Sequence, residues 1–184
     1  MDNRVPADEL KNRMARFRTA MDDSNGSWET AVIFSKINLY YFTGTRQDGM
    51  LIIPADREAV FWVRRSYERA KDESLFPDIR PMESYRDAAA SYPAFPDAVH
   101  LETEIVPLAF AQRFQKYFPF EKALSADAQI ASVRSVKSEY ELELMRRSGE
   151  IHRRVLDERV PKILREGMSE AEFGAVLYSL LVEE

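Results

Sequence analysis

The first apolar positions of the chain recur with the spacing of an amphipathic helix. They stand four, three and four residues apart: Leu10, Met14, Phe17 and Met21. Side chains at these spacings share one face of a helix, so the pattern predicts a helix over residues 6–21. The polar, turn-forming residues 22–26 then predict a break before the next element.

Three short apolar runs follow, and each predicts a strand. They cover residues 30–35, 50–54 and 59–63. Because only residues 55–58 separate the second run from the third, these two runs predict a hairpin. The runs are apolar throughout rather than alternating, which is typical of a sheet that is covered on both faces.

Weaker patterns in the middle of the chain still alternate helices with strands. Helices are predicted over residues 66–73 and 107–117, the second of which has proline at its first position. Short strands are predicted over residues 79–83, 98–101 and 121–124. Strands that alternate with helices in this way indicate a mixed α/β sheet.

Two capping boxes mark the helical C-terminal part of the chain. Ser138 with Glu141, and Ser169 with Glu172, fit the Ser-x-x-Glu pattern that satisfies free backbone donors at a helix start. Apolar residues follow on one side of each predicted helix. The leucines of the last helix have no later partner in the chain, so we expect residues beyond about 133 to begin a second domain whose body is missing. Exposed, these leucines would favour self-association.

Composition narrows the classes of function. The chain of 184 residues has 26 basic and 31 acidic side chains, a net charge of −5, which disfavours a nucleic-acid partner. The absence of cysteine excludes a thiol nucleophile and any cysteine-ligated metal site. No apolar run approaches the ~18 residues of a membrane span, and the N-terminus lacks the core of a signal peptide. We therefore expect a cytoplasmic protein with no membrane partner.

The segment between the first two predicted strands carries the densest set of candidate functional residues. Tyr40 and Tyr41 suit either substrate contact or packing at the sheet edge. Arg46 suits bidentate binding of a carboxylate or an ordinary surface ion pair with Asp48. Arg65 is a further candidate, because ligands favour the strand ends of α/β sheets, although a solvated helix start is the simpler interpretation.

Four segments of the chain share motifs with one known family. These are the opening helix with Arg13, an Asn-x-x-Tyr-hydrophobic-Thr-Gly segment at Asn38–Gly44, an Arg-x-Tyr turn at Arg65–Ala70, and Arg134–Leu142 followed by Gly167–Glu170. With these segments the chain resembles the creatinase/prolidase family of aminopeptidases and dipeptidases. The fourth segment is the most specific, since Arg-x-Val-Lys-Ser-x-x-Glu-Leu marks the junction between the N-terminal and catalytic domains of that family.

The resemblance implies a fold and a domain plan. Residues 1–132 would form a ribonuclease H-like α/β domain, a mixed sheet of five or six strands with helices on both faces. Residues 133–184 would form the linker and the first helices of a pita-bread catalytic domain. In the family that domain holds two divalent metal ions (manganese, cobalt or zinc) with two Asp, one His and two Glu. All five ligands would lie beyond this chain, so we expect no cofactor in it and no activity from it alone.

The resemblance also implies a role. The chain would be the non-catalytic part of a metal-dependent Xaa-Pro aminopeptidase or dipeptidase that forms a homodimer and admits short peptides. The expected substrate-binding residues are Tyr40, Tyr41, Arg46 and Arg65, the first three of them in a loop from Tyr40 to Gly49. One alternative is a peptide- or protein-binding module, as in family members that lost their metal ligands. Another is a ribonuclease H-like nuclease, which the lack of carboxylates on the first predicted strand disfavours.

Overall fold

A computed structural model describes residues 4–184, which divide into two units. The first unit is built on a six-stranded sheet, which matches the mixed sheet expected from the sequence. Its strands are β1 (Thr30–Ile33), β2 (Gly49–Pro54), β3 (Val60–Val63), β4 (Ile79–Pro81), β5 (Ala98–Leu101) and β6 (Lys122–Ser125).

The order and the directions of the strands show at which edge of the sheet each strand ends. The strand order is β4-β3-β2-β1-β5-β6. β2 is antiparallel to β1 and β3, which confirms the predicted hairpin, whereas the other neighbouring pairs are parallel. All strands except β2 therefore end at the same edge, and β2 begins there. We call this the carboxyl edge, the usual position of ligands in open α/β sheets.

Helices cover both faces of the sheet. They are α1 (Ala7–Asn25), α2 (Lys36–Thr43), α3 (Tyr67–Glu73), α4 (Tyr85–Ala89), α5 (Leu108–Gln115) and α6 (Asp127–Ser135). Residues of α4 and α5, among them Ala88 and Phe114, pack against Val32 and Ile52 on one face. The alternate strand residues, such as Ile33, are equally buried on the opposite face.

One predicted loop is a helix. The sequence suggests a functional loop from Tyr40 to Gly49, but Lys36–Thr43 forms α2. Asn38, Leu39, Tyr41, Phe42 and Thr43 are buried. The exposed positions are Lys36, Ile37 and Tyr40, so the sequence shows no polar stripe from which a helical period could be recognised. Only residues 44–48 form the connection to β2.

The first unit extends to Val136, beyond the boundary at residue 132 that the sequence suggests. The reason is α6, which packs on α1 through buried Ile130 and Val133. The Arg16 guanidinium also donates to the carbonyl oxygens of Val133 and Val136, at 2.6 and 2.8 Å. These bonds tie the end of α6 to the first unit.

The second unit, Lys137–Glu184, is helical. It contains α7 (Glu139–Arg154), a π-helical turn (Val155–Arg159), a 3-10 turn (Val160–Lys162) and α8 (Glu170–Val182). Both predicted capping boxes are formed, at Ser138 and at Ser169. The two irregular turns lie around Pro161, as expected for a residue that lacks the backbone donor a helix needs.

The small core of the second unit corrects the expectation that the leucines of the last helix are exposed. Leu180 of α8 is buried with Val155 and Val160, so the apolar face of α8 does have a partner, earlier in the chain. By contrast, α7 buries none of its residues, and Leu144 and Met145 are exposed. Along residues 4–184, every helix is too short or too polar to cross a membrane.

Candidate functional site

A short loop at the carboxyl edge carries the candidate site. Helix α2 ends at Gly44, whose φ of 75° is accessible to glycine at little cost and whose N–H donates to the Tyr40 carbonyl oxygen at 2.8 Å. The loop ends at Gly49, where a β-carbon would overlap the Trp62 carbonyl oxygen. Two glycines thus set the course of residues 44–48 between α2 and β2.

Glu73, at the end of α3, holds this loop in place. Its carboxylate accepts hydrogen bonds from Thr45 Oγ1 at 2.8 Å, from Gln47 Nε2 at 3.0 Å and from Arg69 Nε at 2.5 Å. The bond from Gln47, followed by those from Thr45 and Arg69, lowers the pKa of Glu73, so the carboxylate stays ionised. The Glu73 carboxylate therefore holds the loop in place through Thr45 and Gln47, without a contribution from Arg46.

An open pocket of about 460 Å³ lies beside the loop. It is lined by Arg4, Tyr40, Gly44, Thr45, Arg46, Gln47, Arg69, Asp72 and Glu73. Tyr40 is 43% exposed, and Arg46 is exposed and forms no ion pair with any residue of the described part, Asp48 included. The structure thus brings two predicted site residues, Tyr40 and Arg46, to one pocket.

Tyr41 lies elsewhere, in the core between α1 and α6. Its ring is 6% exposed and packs under the Arg13 guanidinium at 4.5 Å, while its hydroxyl donates to the Val133 carbonyl oxygen at 3.0 Å. Arg13 also donates to the Tyr41 carbonyl oxygen at 2.9 Å. These contacts position α2, and the structure does not bring Tyr41 to the pocket.

Arg65 is exposed on the turn between β3 and α3 and does not line the pocket. The turn includes Ser66 in the left-handed region, with φ at 58°. It is joined to the candidate loop through the backbone, since Arg64 N–H donates to the Asp48 carbonyl oxygen at 2.7 Å. Arg65 therefore shares the carboxyl edge with Arg46, but not its pocket.

A buried carboxylate at the same edge connects two of the motifs. Glu102 follows β5, is 0% exposed, and accepts bonds from the N–H groups of Phe34 and Ser35 at 2.6 and 2.8 Å and from Asn38 Nδ2 at 2.6 Å. The Arg134 guanidinium in turn donates to Asn38 Oδ1 at 2.9 Å. Asn38 and Arg134, taken from two separate motifs, thus belong to one network that holds the start of α2.

Both acidic residues that organise this edge, Glu73 and Glu102, are absent from the site residues predicted from the sequence. Glu102 directly follows a correctly predicted strand, so its position at a strand end was a usable signal. Glu73 lies in a predicted helix with Arg69 four residues before it, a spacing that suggests only a helix-surface pair. In residues 4–184, no three His, Asp or Glu side chains are grouped closely enough to hold a metal ion.

Fold and site together define a small α/β domain with an arginine-bearing pocket at the carboxyl edge of its sheet. The family model described as the Creatinase/Prolidase N-terminal domain matches residues 13–136. The chain belongs to this family, as its motifs suggested.

Known proteins similar to this chain include a Xaa-Pro dipeptidase of Pyrococcus furiosus, which is 23% identical over 175 residues. That match covers 94% of this chain and 48% of the relative. Among solved structures, a Xaa-Pro dipeptidase from Bacillus anthracis superimposes with a TM-score of 0.80 at 15% identity, covering 95% of this chain and 49% of the other. A prolidase from Pyrococcus horikoshii gives 0.78 at 21% identity, with 94% and 48% covered. The chain spans about half the length of each of these three proteins.

Proposed function

We propose that this chain is the non-catalytic N-terminal part of a metal-dependent peptidase that cleaves short peptides with Xaa-Pro bonds. Its pocket beside Arg46 would receive the carboxylate end of the peptide and restrict access to an active site formed elsewhere. The observation that carries the proposal is the exposed side chain of Arg46, held at the rim of a pocket by a loop whose neutral polar residues Thr45 and Gln47 are bonded to Glu73.

The arrangement of the pocket suits a carboxylate-bearing ligand. Arg46 presents several donors in a fixed fork, which matches the two oxygens of a carboxylate. Tyr40 offers an exposed ring beside it for the apolar part of the ligand. Because Glu73 carries the loop, Arg46 is not needed to hold the backbone and remains available for binding.

The two other predicted residues enter the proposal in different ways. Tyr41 would be a positioning residue, because its contacts with Arg13 and Val133 hold the helix that carries Tyr40. Arg65 lies on the neighbouring turn and would meet a ligand only if that ligand extended along the carboxyl edge. Its role in substrate binding stays a prediction.

The proposal includes a second domain and a second subunit. Residues 133–184 would be the linker and the opening helices of a catalytic domain. Two divalent metal ions (manganese, cobalt or zinc) would be bound there by two Asp, one His and two Glu. The uncovered apolar residues of α7 support this, because an amphipathic helix needs a surface to cover it. In a homodimer the Arg46 pocket would face the active site of the other subunit.

Reading the gene beyond the codon for Glu184 tests the catalytic part of the proposal. Two Asp, one His and two Glu in the family's order are expected within about 200 further codons, one domain's length. Other residues at those positions would contradict a metallopeptidase. They would favour the alternative, a peptide- or protein-binding module.

The role of Arg46 is tested with the Arg46→Gln variant of that longer enzyme. Loss of a charge-assisted hydrogen bond should raise KM for an Xaa-Pro dipeptide by about tenfold or more and leave kcat nearly unchanged. The matched control is Arg86→Gln, which removes an exposed arginine outside this pocket. An unchanged kcat/KM in Arg46→Gln would refute the role assigned to this residue.

A further inference from the structure

A second pocket, of about 360 Å³, opens at the carboxyl edge between α4 and α5. It shares none of its lining residues with the Arg46 pocket. Its volume falls within the range of small-molecule sites. The proposed function makes no use of this pocket, so ligand binding here does not depend on the role proposed for Arg46.

The inner wall of this pocket is aromatic. Tyr85 lies at its centre, with ring centroids 6.2 Å from Phe110 and 6.1 Å from Tyr117. Beneath these rings lies Met82, which is 4% exposed. Burial raises the pKa of Tyr85 to about 12, so its hydroxyl remains a neutral hydrogen-bond donor. A flat apolar group would therefore find aromatic side chains and a neutral phenol hydroxyl in the lining of this pocket.

The rim of the pocket is cationic. Arg64, Arg113 and Lys116 are exposed, and none of the three forms an ion pair with another residue of the described part. Arg113 lies over Phe110, with its guanidinium carbon 5.6 Å from the ring centroid. Arg64 and Arg113 both line the pocket, and the positive charge of each opposes the effect of burial on the pKa of Tyr85.

Two carboxylates lie nearby and do not neutralise this rim. Glu83 lines the pocket, and Asp48 acts on Tyr85 from the neighbouring loop. In the described residues neither is paired with one of the three cations. Elsewhere in this unit Arg13, Arg69 and Arg80 are each paired with a carboxylate.

We propose that this pocket binds an aromatic carboxylate, with the carboxylate between Arg64 and Arg113 and the flat apolar body against Tyr85 and Phe110. Charge-assisted bonds to arginine and stacking on aromatic rings are the contacts that such a ligand needs. A free aromatic acid and the C-terminal residue of a peptide share this chemistry.

Nuclear magnetic resonance titration of the 184-residue chain tests the proposal. The probes are N-acetylphenylalanine, which mimics a peptide end, 3-phenylpropionate, which is a free acid, and N-acetylphenylalanine amide, which lacks the charge. At least one acid should shift the amides around Tyr85 and bind about tenfold or more tightly than the neutral amide. Binding should weaken as salt is raised. Tighter binding of N-acetylphenylalanine would identify a peptide C-terminus as the ligand, and tighter binding of 3-phenylpropionate would identify a free aromatic acid. Either result supports the site.

Substitutions locate the binding. Arg113→Gln removes one exposed cation and should weaken the preferred acid by about tenfold. The matched control Arg86→Gln, on α4 but outside the pocket lining, should bind as the unchanged chain does. Equal binding of acid and amide, shifts confined to another surface, the absence of binding by either acid, or an unaffected Arg113→Gln would each overturn the proposal.

Discussion

The two units of this chain differ in how they bury apolar surface. In the first, a sheet has apolar residues on both faces, and side chains such as Phe17, Phe42 and Phe114 are 0% exposed. In the second, the buried core consists of Val155, Val160 and Leu180 with partly buried neighbours. Capping boxes occur in both units, at Ser84 in the first and at Ser138 and Ser169 in the second, so helix capping alone does not explain the difference.

This difference indicates where the stability of the chain lies. Hydrophobic burial is the main favourable contribution to folding, and a helix rarely persists in water through its own propensity. The first unit buries enough apolar surface to fold and to hold its pockets in a fixed shape. The second unit has an uncovered helix, α7, and we infer that it gains most of its stability only when another surface covers it.

The largest expected effect comes from breaking the network at the carboxyl edge. Glu102→Ala would leave the N–H groups of Phe34 and Ser35 and the amide of Asn38 without their buried acceptor. Unsatisfied buried donors cost about 1–3 kcal/mol each, so we expect a loss of about 3 kcal/mol or more, measured by urea unfolding. The control Glu104→Ala removes an exposed carboxylate near the same strand end and should have little effect. Equal losses in the two variants would contradict the role of Glu102.

A second effect depends on pH and tests the core of the first unit. His100 is 3% exposed, and burial lowers its pKa below the usual 6.5, against the opposing effect of a hydrogen bond with the Thr30 backbone. The unfolded chain therefore takes up a proton at a higher pH than the folded chain does. The contribution of neutral His100 to the free energy of unfolding should be fully present above pH 6.5. It should fall as the pH drops from there towards the lower folded pKa, by at most about 1.4 kcal/mol per pH unit.

Chemical unfolding of two variants at several pH values isolates this contribution. His100→Leu should remove this part of the pH dependence. His152→Gln, at an exposed position on α7, should retain it. A slope that persists in His100→Leu would show that other groups are responsible.

A smaller effect is expected in the second unit, at the start of α8. Ser169 accepts from the Glu172 N–H at 3.3 Å, while Glu172 accepts from the Ser169 N–H at 2.8 Å. Ser169→Ala should cost about 1 kcal/mol of local stability, seen as faster amide exchange in α8. Ser179→Ala, at an exposed position within the same helix, should be neutral or slightly stabilising because alanine favours helices. Unchanged exchange in Ser169→Ala would contradict the role of the cap.

The smallest effect on stability is expected at the candidate site. Arg46→Gln removes an exposed side chain that forms no ion pair within residues 4–184, and it should change the unfolding free energy by less than about 0.5 kcal/mol. Any loss of peptide binding in that variant would then be a loss of contact rather than of fold. A clear destabilisation by Arg46→Gln would mean that this arginine supports the loop.

The elements that were predicted from sequence are those with a clear period or a clear boundary. Helix α1 shows an apolar stripe, the β2–β3 hairpin has a short polar connection, and α8 begins at a capping box. Helix α2 was missed because it is short and its exposed side carries Ile37 and Tyr40 beside Lys36 rather than a polar stripe. The prediction of these five elements thus depended on whether a local sequence signal was present.

The candidate site was only partly predictable for a related reason. Arg46 and Tyr40 were found because an exposed loop with such residues stands out between two apolar runs. Glu73 and Glu102 act through partners far along the chain, such as Thr45 and Phe34, and their pairing depends on the folded topology. No local pattern specifies such contacts.

Hydrogen exchange of the 184-residue chain, resolved by region, tests the contrast between the two units most directly. Amides at the centres of β1 and β2 should exchange only through global unfolding of the first unit, whereas those of α7 and α8 should exchange orders of magnitude faster. Equal protection in strands and helices would contradict the account, since it would show that the second unit is as stable as the first without any further covering surface.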